Sequence, residues 1–173
     1  MGKNIEIKAR CPNPIVFEEK LKLLSTSFEG EDVQVDTFYM VPNGRLKLRE
    51  SKLYGNLLIP YLRADKKGPK QADYSLVNIE DAEKVKSLLV SILGVKGVVR
   101  KKRRIYLYEN VRIHVDKVDQ LGSFLELEAV VSENDSENAN REKVEFLLDH
   151  FEIKRNDLIE KAYIETSFFM SSL

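Results

Sequence analysis

The chain has 173 residues, with 28 basic and 28 acidic side chains, 43% hydrophobic and 32% charged content, and Cys11 as its only cysteine. That length gives one compact domain a sizeable core, so residues 1–173 read as a single domain, and the composition excludes a disordered or membrane-spanning chain. The cancelled charge gives no general attraction to nucleic acid or to an acidic membrane, the lone thiol excludes an intrachain disulfide, and no secretory apolar segment opens the sequence, so a cytoplasmic protein is expected.

Asn4 to Arg10 alternates with the period of a strand, placing Ile5, Ile7 and Ala9 on one face and Asn4, Glu6, Lys8 and Arg10 on the other. Asn13-Pro14 has the form of a helix N-cap and first turn, and Phe17, Leu21, Leu24 and Phe28 give that helix one apolar stripe. Val33 to Val41 and Arg45 to Arg49 are strands flanking Pro42-Asn43-Gly44, where Asn-Gly is a strong hairpin signal. Leu57 to Arg63 and Ala72 to Val77 form a second hairpin around the loop 65–70, in which Lys66 and Lys67 read as solvated charges. Asn78 is placed to cap a second helix with Val85, Leu88, Leu89 and Ile92 inward and Gly94 at its end. Val98 to Tyr108, Val111 to Val118 and Ser123 to Val131 read as a three-strand meander. Ser132 to Asn140 reads as a polar loop and the expected site of disorder; Val144, Leu147, Leu148 and Phe151 mark a third helix, and Asn156 to Lys161 a short fourth.

Strands in mostly hairpin order predict an α+β fold, an antiparallel barrel or strongly curved sheet with covering helices. The polar faces of these strands are unusual. They hold Glu6, Lys8 and Arg10, then Arg45, Lys47 and Arg49, then Arg63, then Lys101 and Arg103, then Arg112, His114 and Asp116, then Glu126 and Glu128. If the sheet closes with its apolar faces outward under the helices, these charges converge on an interior wide enough for one small ligand. Buried charges need partners, and a polyphosphate with divalent cations supplies both signs. Arginine offers a planar fork to phosphate oxygens, lysine a compact charge, and carboxylates bind Mg²⁺ or Mn²⁺ through oxygen. Arg100, Lys102 and Arg104 fall on the opposite, outer face. His114 is in phase with Asp116, and reads equally as a phosphate contact or a structural histidine. Phe38, Tyr39 and Tyr61 read chiefly as packing, with an aromatic ligand as the alternative.

Over nearly its whole length the sequence resembles the CYTH superfamily, the triphosphate tunnel metalloenzymes, which include class IV adenylate cyclases and thiamine triphosphatases. Asn4-Ile5-Glu6-Ile7-Lys8 is similar to the family's ExExK strand, with Asn4 replacing the first glutamate. Gly44 to Glu50 resembles the basic second motif, and Tyr61-x-Arg63 with Asp65 and Gly68-Pro69-Lys70 the cyclase-branch region. Lys101-x-Arg103, Arg112 to Asp116, Leu121 to Glu128 and Ala162-Tyr163-Ile164 resemble later family segments. The resemblance implies a closed eight-stranded antiparallel β-barrel, a tunnel entered by a small-molecule triphosphate and served by Mg²⁺ or Mn²⁺. It implies phosphate-binding roles for Lys8, Arg45, Lys47, Arg49, Arg63, Lys70, Lys101, Arg103 and Arg112, with Lys70 or Gln71 at one position according to register. Metal ligation falls to Glu6, Asp116, Glu126 and Glu128, and catalysis to Glu6, Lys8, Glu126 and Glu128. Three activities share this equipment: hydrolysis of a triphosphate, cyclisation of ATP to cyclic AMP with release of pyrophosphate, and binding without chemistry. Asn4 weakens the metal set, and the missing His-Phe element before the first motif tilts the reading toward hydrolysis. A homodimer is expected from the family.

Overall fold

Nine strands form the frame of the computed structural model, which describes residues 2–24, 26–65, 68–132 and 136–165. They are β1 (Gly2–Arg10), β2 (Ser27–Tyr39), β3 (Arg45–Ser51), β4 (Gly55–Arg63), β5 (Lys70–Tyr74), β6 (Val77–Ile79), β7 (Val95–Tyr108), β8 (Val111–Val118) and β9 (Gly122–Val131). Their order is β3-β2-β7-β8-β9-β1-β5-β4-β6, every pairing is antiparallel, and β3 also pairs with β4. That last pairing closes the sheet. The result is an eight-stranded barrel in which β5 and β6 together form one stave along β4.

The sequence reads that stave as one strand, Ala72 to Val77, and the structure breaks it at Ser75 and Leu76. Pro60 of β4 lies opposite the break. It has no N–H to donate, so the ladder cannot continue past it, and only its carbonyl is used, accepting from Ser75 N at 3.1 Å.

The apolar faces point outward, as the alternation requires. On β1, Ile5 and Ile7 are buried beneath helices, together with Val111, Ile113 and Val115 of β8 and Leu125, Leu127 and Ala129 of β9. Helix α1 (Pro14–Leu23) and helix α3 (Glu137–His150) cover this face with Phe17, Leu21, Val144 and Leu147, and the Phe17 ring packs 4.5 Å from that of Phe151 beyond α3. Helix α2 (Ala82–Leu93) lies over β2 and β3, burying Tyr39 and Leu48 beneath Ala82, Val85, Leu89 and Leu93. The hydrophobic core of this barrel is therefore its jacket. Truncating Leu127 to alanine removes a wholly buried side chain from it, and we expect a loss of about 2–5 kcal/mol in urea unfolding.

Local expectations shift in five places. Phe28 belongs to β2, not to the α1 stripe: the helix ends at Leu23, Leu24 is extended, and Phe28 packs against Tyr106 at 5.0 Å. The cap of α2 is Asp81, whose carboxylate accepts from Lys84 N at 3.0 Å, because Asn78 is committed to β6. Leu88 and Ile92 are exposed, since α2 rests on the barrel along one narrow stripe. Helix α3 begins at Glu137, inside the stretch read as a loop, and Asn140 is buried where it donates to the Ser136 carbonyl and accepts from Asn110; residues 133–135, like Lys66 and Lys67, lie outside those described. The short fourth helix is a 3₁₀ turn, Arg155–Asp157.

After that turn the chain crosses one end of the barrel. Leu158 bridges to Ala9, Ile159 N donates to the Lys8 carbonyl at 2.8 Å, and Ala162, Tyr163 and Ile164 pack with Phe38, Val99, Val118 and Phe124. Among the described residues, no helix is long and apolar enough to cross a membrane.

Candidate active site in the barrel

The inward faces of the strands enclose a cavity of about 590 Å³. Because the sheet alternates, each strand contributes every second residue: Asn4, Glu6 and Lys8 from β1, Gln34, Asp36 and Phe38 from β2, Lys47 and Arg49 from β3, and Arg63 from β4. Lys101 and Arg103 come from β7, Arg112 and His114 from β8, Glu126 and Glu128 from β9. Register fixes their neighbours, with Glu126 opposite both Lys8 and His114, and Glu128 opposite both Glu6 and Arg112. Ala162 and Tyr163 form the wall at the end the C-terminal segment covers, while Tyr54, Leu57, Tyr74, Leu76 and Asn78 make an apolar rim at the other. Arg100, Lys102 and Arg104 are on the outer face, and Arg104 pairs there with Glu18 of α1.

The charges are cross-paired. Arg49 grips Asp36 with two bonds of 2.7 and 2.8 Å, and Lys47 and Lys101 reach the same carboxylate at 3.0 and 3.5 Å. Arg63 donates to Glu6 at 2.7 Å and Lys8 lies 3.3 Å from Glu126. Arg103 forks onto Asp116 with two bonds of 2.7 Å and also pairs with Glu126, and Tyr163 Oη donates to Asp116 at 2.8 Å. Lys8 Nζ rests 3.7 Å above the Tyr163 ring.

Burial and charge set the protonation states. Burial opposes ionisation of Asp36, but the Arg49, Lys47 and Lys101 charges outweigh it and hold its carboxyl well below the usual range. Burial likewise opposes Glu126, and Lys8 and Arg103 overcome it. Glu128 goes the other way: burial and the Glu126 charge push it up. Burial and Arg103 push Lys101 down to about 7, and burial and Arg49 push Lys47 to about 8. Cations poised this near neutrality, paired with the Asp36 carboxylate and facing aromatic rings, are suited to accept a ligand with several negative oxygens.

Of the residues singled out in the sequence, Glu6, Lys8, Lys47, Arg49, Arg63, Lys101, Arg103, Arg112, Glu126 and Glu128 converge on this one cavity. Arg45, Lys70 and Asp116 are not on its wall. Arg45 pairs with Asp65 at 2.6 Å and Glu165 at 3.1 Å. Lys70, inward by register where Gln71 points out, is fully buried and donates to the carbonyls of Ile159 and Glu160 at 3.2 and 2.9 Å, anchoring the crossing segment. Asp116 is enclosed behind Arg103, with both oxygens engaged. Sequence reasoning missed Asp36, the hub of three cations, and Gln34 beside it. The alternation of Asp32, Gln34 and Asp36 against Val33, Val35 and Thr37 carried the signal.

A divalent cation fits the wall beside β8 and β9. Ligand atoms of His114, Glu126 and Glu128 lie within 4.8 Å of one another. Four residues on the cavity wall, Asn4, Gln34, Arg63 and His114, each have a buried side-chain atom without a hydrogen-bond partner among the described residues, so the cavity leaves polar atoms that a ligand could satisfy.

Comparison with known proteins gives a consistent result. The profile of the CYTH domain family matches residues 2–163. A protein from Methanocaldococcus jannaschii, provisionally named an adenylate cyclase, is 31% identical, covering 93% of this chain and 96% of its own. The structure of the PH1012 protein from Pyrococcus horikoshii has a TM-score of 0.84 at 25% identity, covering 94% of this chain and 98% of that one. A Vibrio parahaemolyticus structure, also provisionally named an adenylate cyclase, shares the fold with a TM-score of 0.76 at 21% identity, covering 94% of this chain and 95% of that one.

Proposed function

The chain belongs to the CYTH domain family, and we propose that it draws the triphosphate of a small-molecule substrate into the barrel and hydrolyses it with the help of a divalent cation. One observation carries this reading: a cavity of about 590 Å³, covered at one end, whose wall places Lys8, Lys47, Arg49, Arg63, Lys101 and Arg103 opposite a set of carboxylates. The terminal phosphate enters first from the open end and comes to lie toward the covered end, leaving the organic part at the rim of Tyr54, Leu57, Tyr74 and Leu76.

In this reading Glu126 and Glu128 would hold Mg²⁺ or Mn²⁺, and Glu6 of β1 lies opposite Glu128. The cation, when bound, supplies charge to stabilise the developing negative oxygens. Phosphate oxygens displace Asp36 from Lys47, Arg49 and Lys101, exchanging one carboxylate for a more highly charged partner. Glu6, on the cavity wall opposite Glu128, takes the proton from water as its oxygen attacks the terminal phosphorus. The phosphoanhydride bond breaks, the leaving diphosphate keeps the bridging oxygen, and Lys8 and Arg103 offset its charge. No covalent nucleophile is needed.

Cyclisation is the second reading, favoured by the name of the Methanocaldococcus jannaschii relative. There the ribose 3′-hydroxyl replaces water and attacks the α-phosphorus, releasing pyrophosphate. Product analysis separates the two: we expect orthophosphate and a diphosphate from ATP, thiamine triphosphate or tripolyphosphate, only with a divalent metal. Cyclic AMP with pyrophosphate would establish the cyclase, and an unchanged triphosphate that still stabilises the fold would establish a binding protein.

Triphosphate binding also carries a pH signature. With Lys101 near 7 and Lys47 near 8 in the free protein, a bound polyanion restores protons to both. We expect net proton uptake in calorimetric titrations run in buffers of different ionisation enthalpy at pH 8. Affinity should weaken by about tenfold between pH 7 and 8, and by up to about a hundredfold per unit above pH 8, where both lysines take up protons on binding. Affinity that is flat or rising from pH 7 to 8.5 would contradict this assignment of the lysines.

A further inference from the structure

His114 has a ring nitrogen that no described residue hydrogen-bonds. The residue is 4% exposed, its side chain stands on the cavity wall, and Nδ1 has no hydrogen-bond partner, with Glu128 Oε1 3.8 Å away. A buried polar atom left unpaired costs about 1–3 kcal/mol, so its retention at the centre of a polar cavity points to a ligand. On one side β9 brings Glu126 into register with it, and on the other β7 brings Ile105. The charged groups around the imidazole are Glu126, Glu128 and Asp116 together with Arg103 and Lys101.

The donor spacing suits one ion. Metal–ligand bonds of about 2.1 Å put adjacent ligand atoms about 3 Å apart and opposite ones about 4.2 Å apart, and the His114, Glu126 and Glu128 donors already lie within 4.8 Å of one another. A neutral imidazole is the form that ligates a metal ion. Mg²⁺ prefers oxygen ligands and sheds water reluctantly, whereas an imidazole nitrogen favours transition-metal ions.

We propose that His114 is a nitrogen ligand of the cation held by Glu126 and Glu128, and that it makes this site select a transition-metal ion such as Mn²⁺ or Co²⁺ over Mg²⁺. This rests on the metal-dependent reading above and deepens it, because a carboxylate-only site would not discriminate in this way.

The test is Mn²⁺ binding to the whole protein, followed by electron paramagnetic resonance with and without a methylene-bridged triphosphate analogue, and with Mg²⁺ as competitor. We expect Mn²⁺ bound at least about tenfold more tightly than Mg²⁺, with a spin-echo modulation from a directly bonded ¹⁴N. In His114→Gln the nitrogen signal should vanish and the preference should fall several-fold. Mn²⁺ bound through Glu126, shown by its loss in Glu126→Gln, but without ¹⁴N modulation would overturn the role of His114 and leave the metal-dependent reading standing. A preference unchanged in His114→Gln would overturn the selectivity. No Mn²⁺ bound in either state would overturn both readings. The wild-type nitrogen signal decides the ligation even if the variant does not fold.

Discussion

Glu126→Gln is expected to lower turnover of a triphosphate by about 10²–10³-fold, the usual loss when one element of transition-state charge stabilisation is removed, while binding of the bare triphosphate survives. Glu126 is in contact with both signs of charge. Lys8 lies 3.3 Å from it, Arg103 pairs with it, and His114 and Glu128 share its ligand set. Glutamine keeps the shape and one oxygen but removes the charge that a cation needs. The same change releases Lys8 and Arg103 from an internal competitor, so in the presence of a chelator tripolyphosphate should bind the variant as tightly as wild type or a few-fold more tightly. Steady-state assays with calorimetry check both halves. Full activity in the variant would remove Glu126 from the chemistry, and lost binding without metal would make its role structural.

Arg103→Met is expected to produce the largest loss of stability. The guanidinium is buried, forks onto Asp116 and pairs with Glu126. Without it, two carboxylates remain enclosed with less compensation, and removing one partner of a buried pair typically costs about 3–5 kcal/mol. For a chain of this size that is a Tm lower by about 6–20 °C. The sign with pH follows. Arg103 helps hold the Asp116 and Glu126 carboxyls below their ordinary values, a stabilisation present above the unfolded pKa values and lost as pH falls, so its removal costs most where the carboxyls are ionised. The deficit should therefore be greater at pH 7 than at pH 4. A deficit independent of pH would place the effect in lost packing.

Much of this was legible in the sequence because a strand's side-chain period is 2. Once Ile5, Ile7, Leu125 and Leu127 are assigned to a helix-covered face, Glu6, Lys8, Glu126 and Glu128 have only the opposite face to occupy. What the residues alone left open was closure, and it turns on the pairing of β3 with β4, a contact set by how the curved sheet meets itself. Asp36 does not stand out in the sequence because a single carboxylate between Val35 and Thr37 looks like an ordinary solvent-facing position until three cations from other strands arrive around it. Arg45, Lys70 and Asp116 have the inward parity of the cavity residues but serve its margins, because parity gives the face of a strand and not the depth along the barrel. The crossing segment that covers one end was invisible for a related reason. Its anchors, the Lys70 bonds to two carbonyls and the Tyr163 bond to Asp116, join residues far apart in the chain.

A calorimetric comparison of tripolyphosphate, diphosphate and orthophosphate on the intact protein, at pH 7 with Mn²⁺ present, goes straight to whether the barrel interior is a triphosphate site. We expect affinity to climb with each added phosphate, by at least about tenfold from diphosphate to tripolyphosphate, since the longer chain reaches cations on more of the staves at once. Equal affinity for all three, or no binding of tripolyphosphate at millimolar concentration, would mean that the charges in the barrel serve one another and not a ligand.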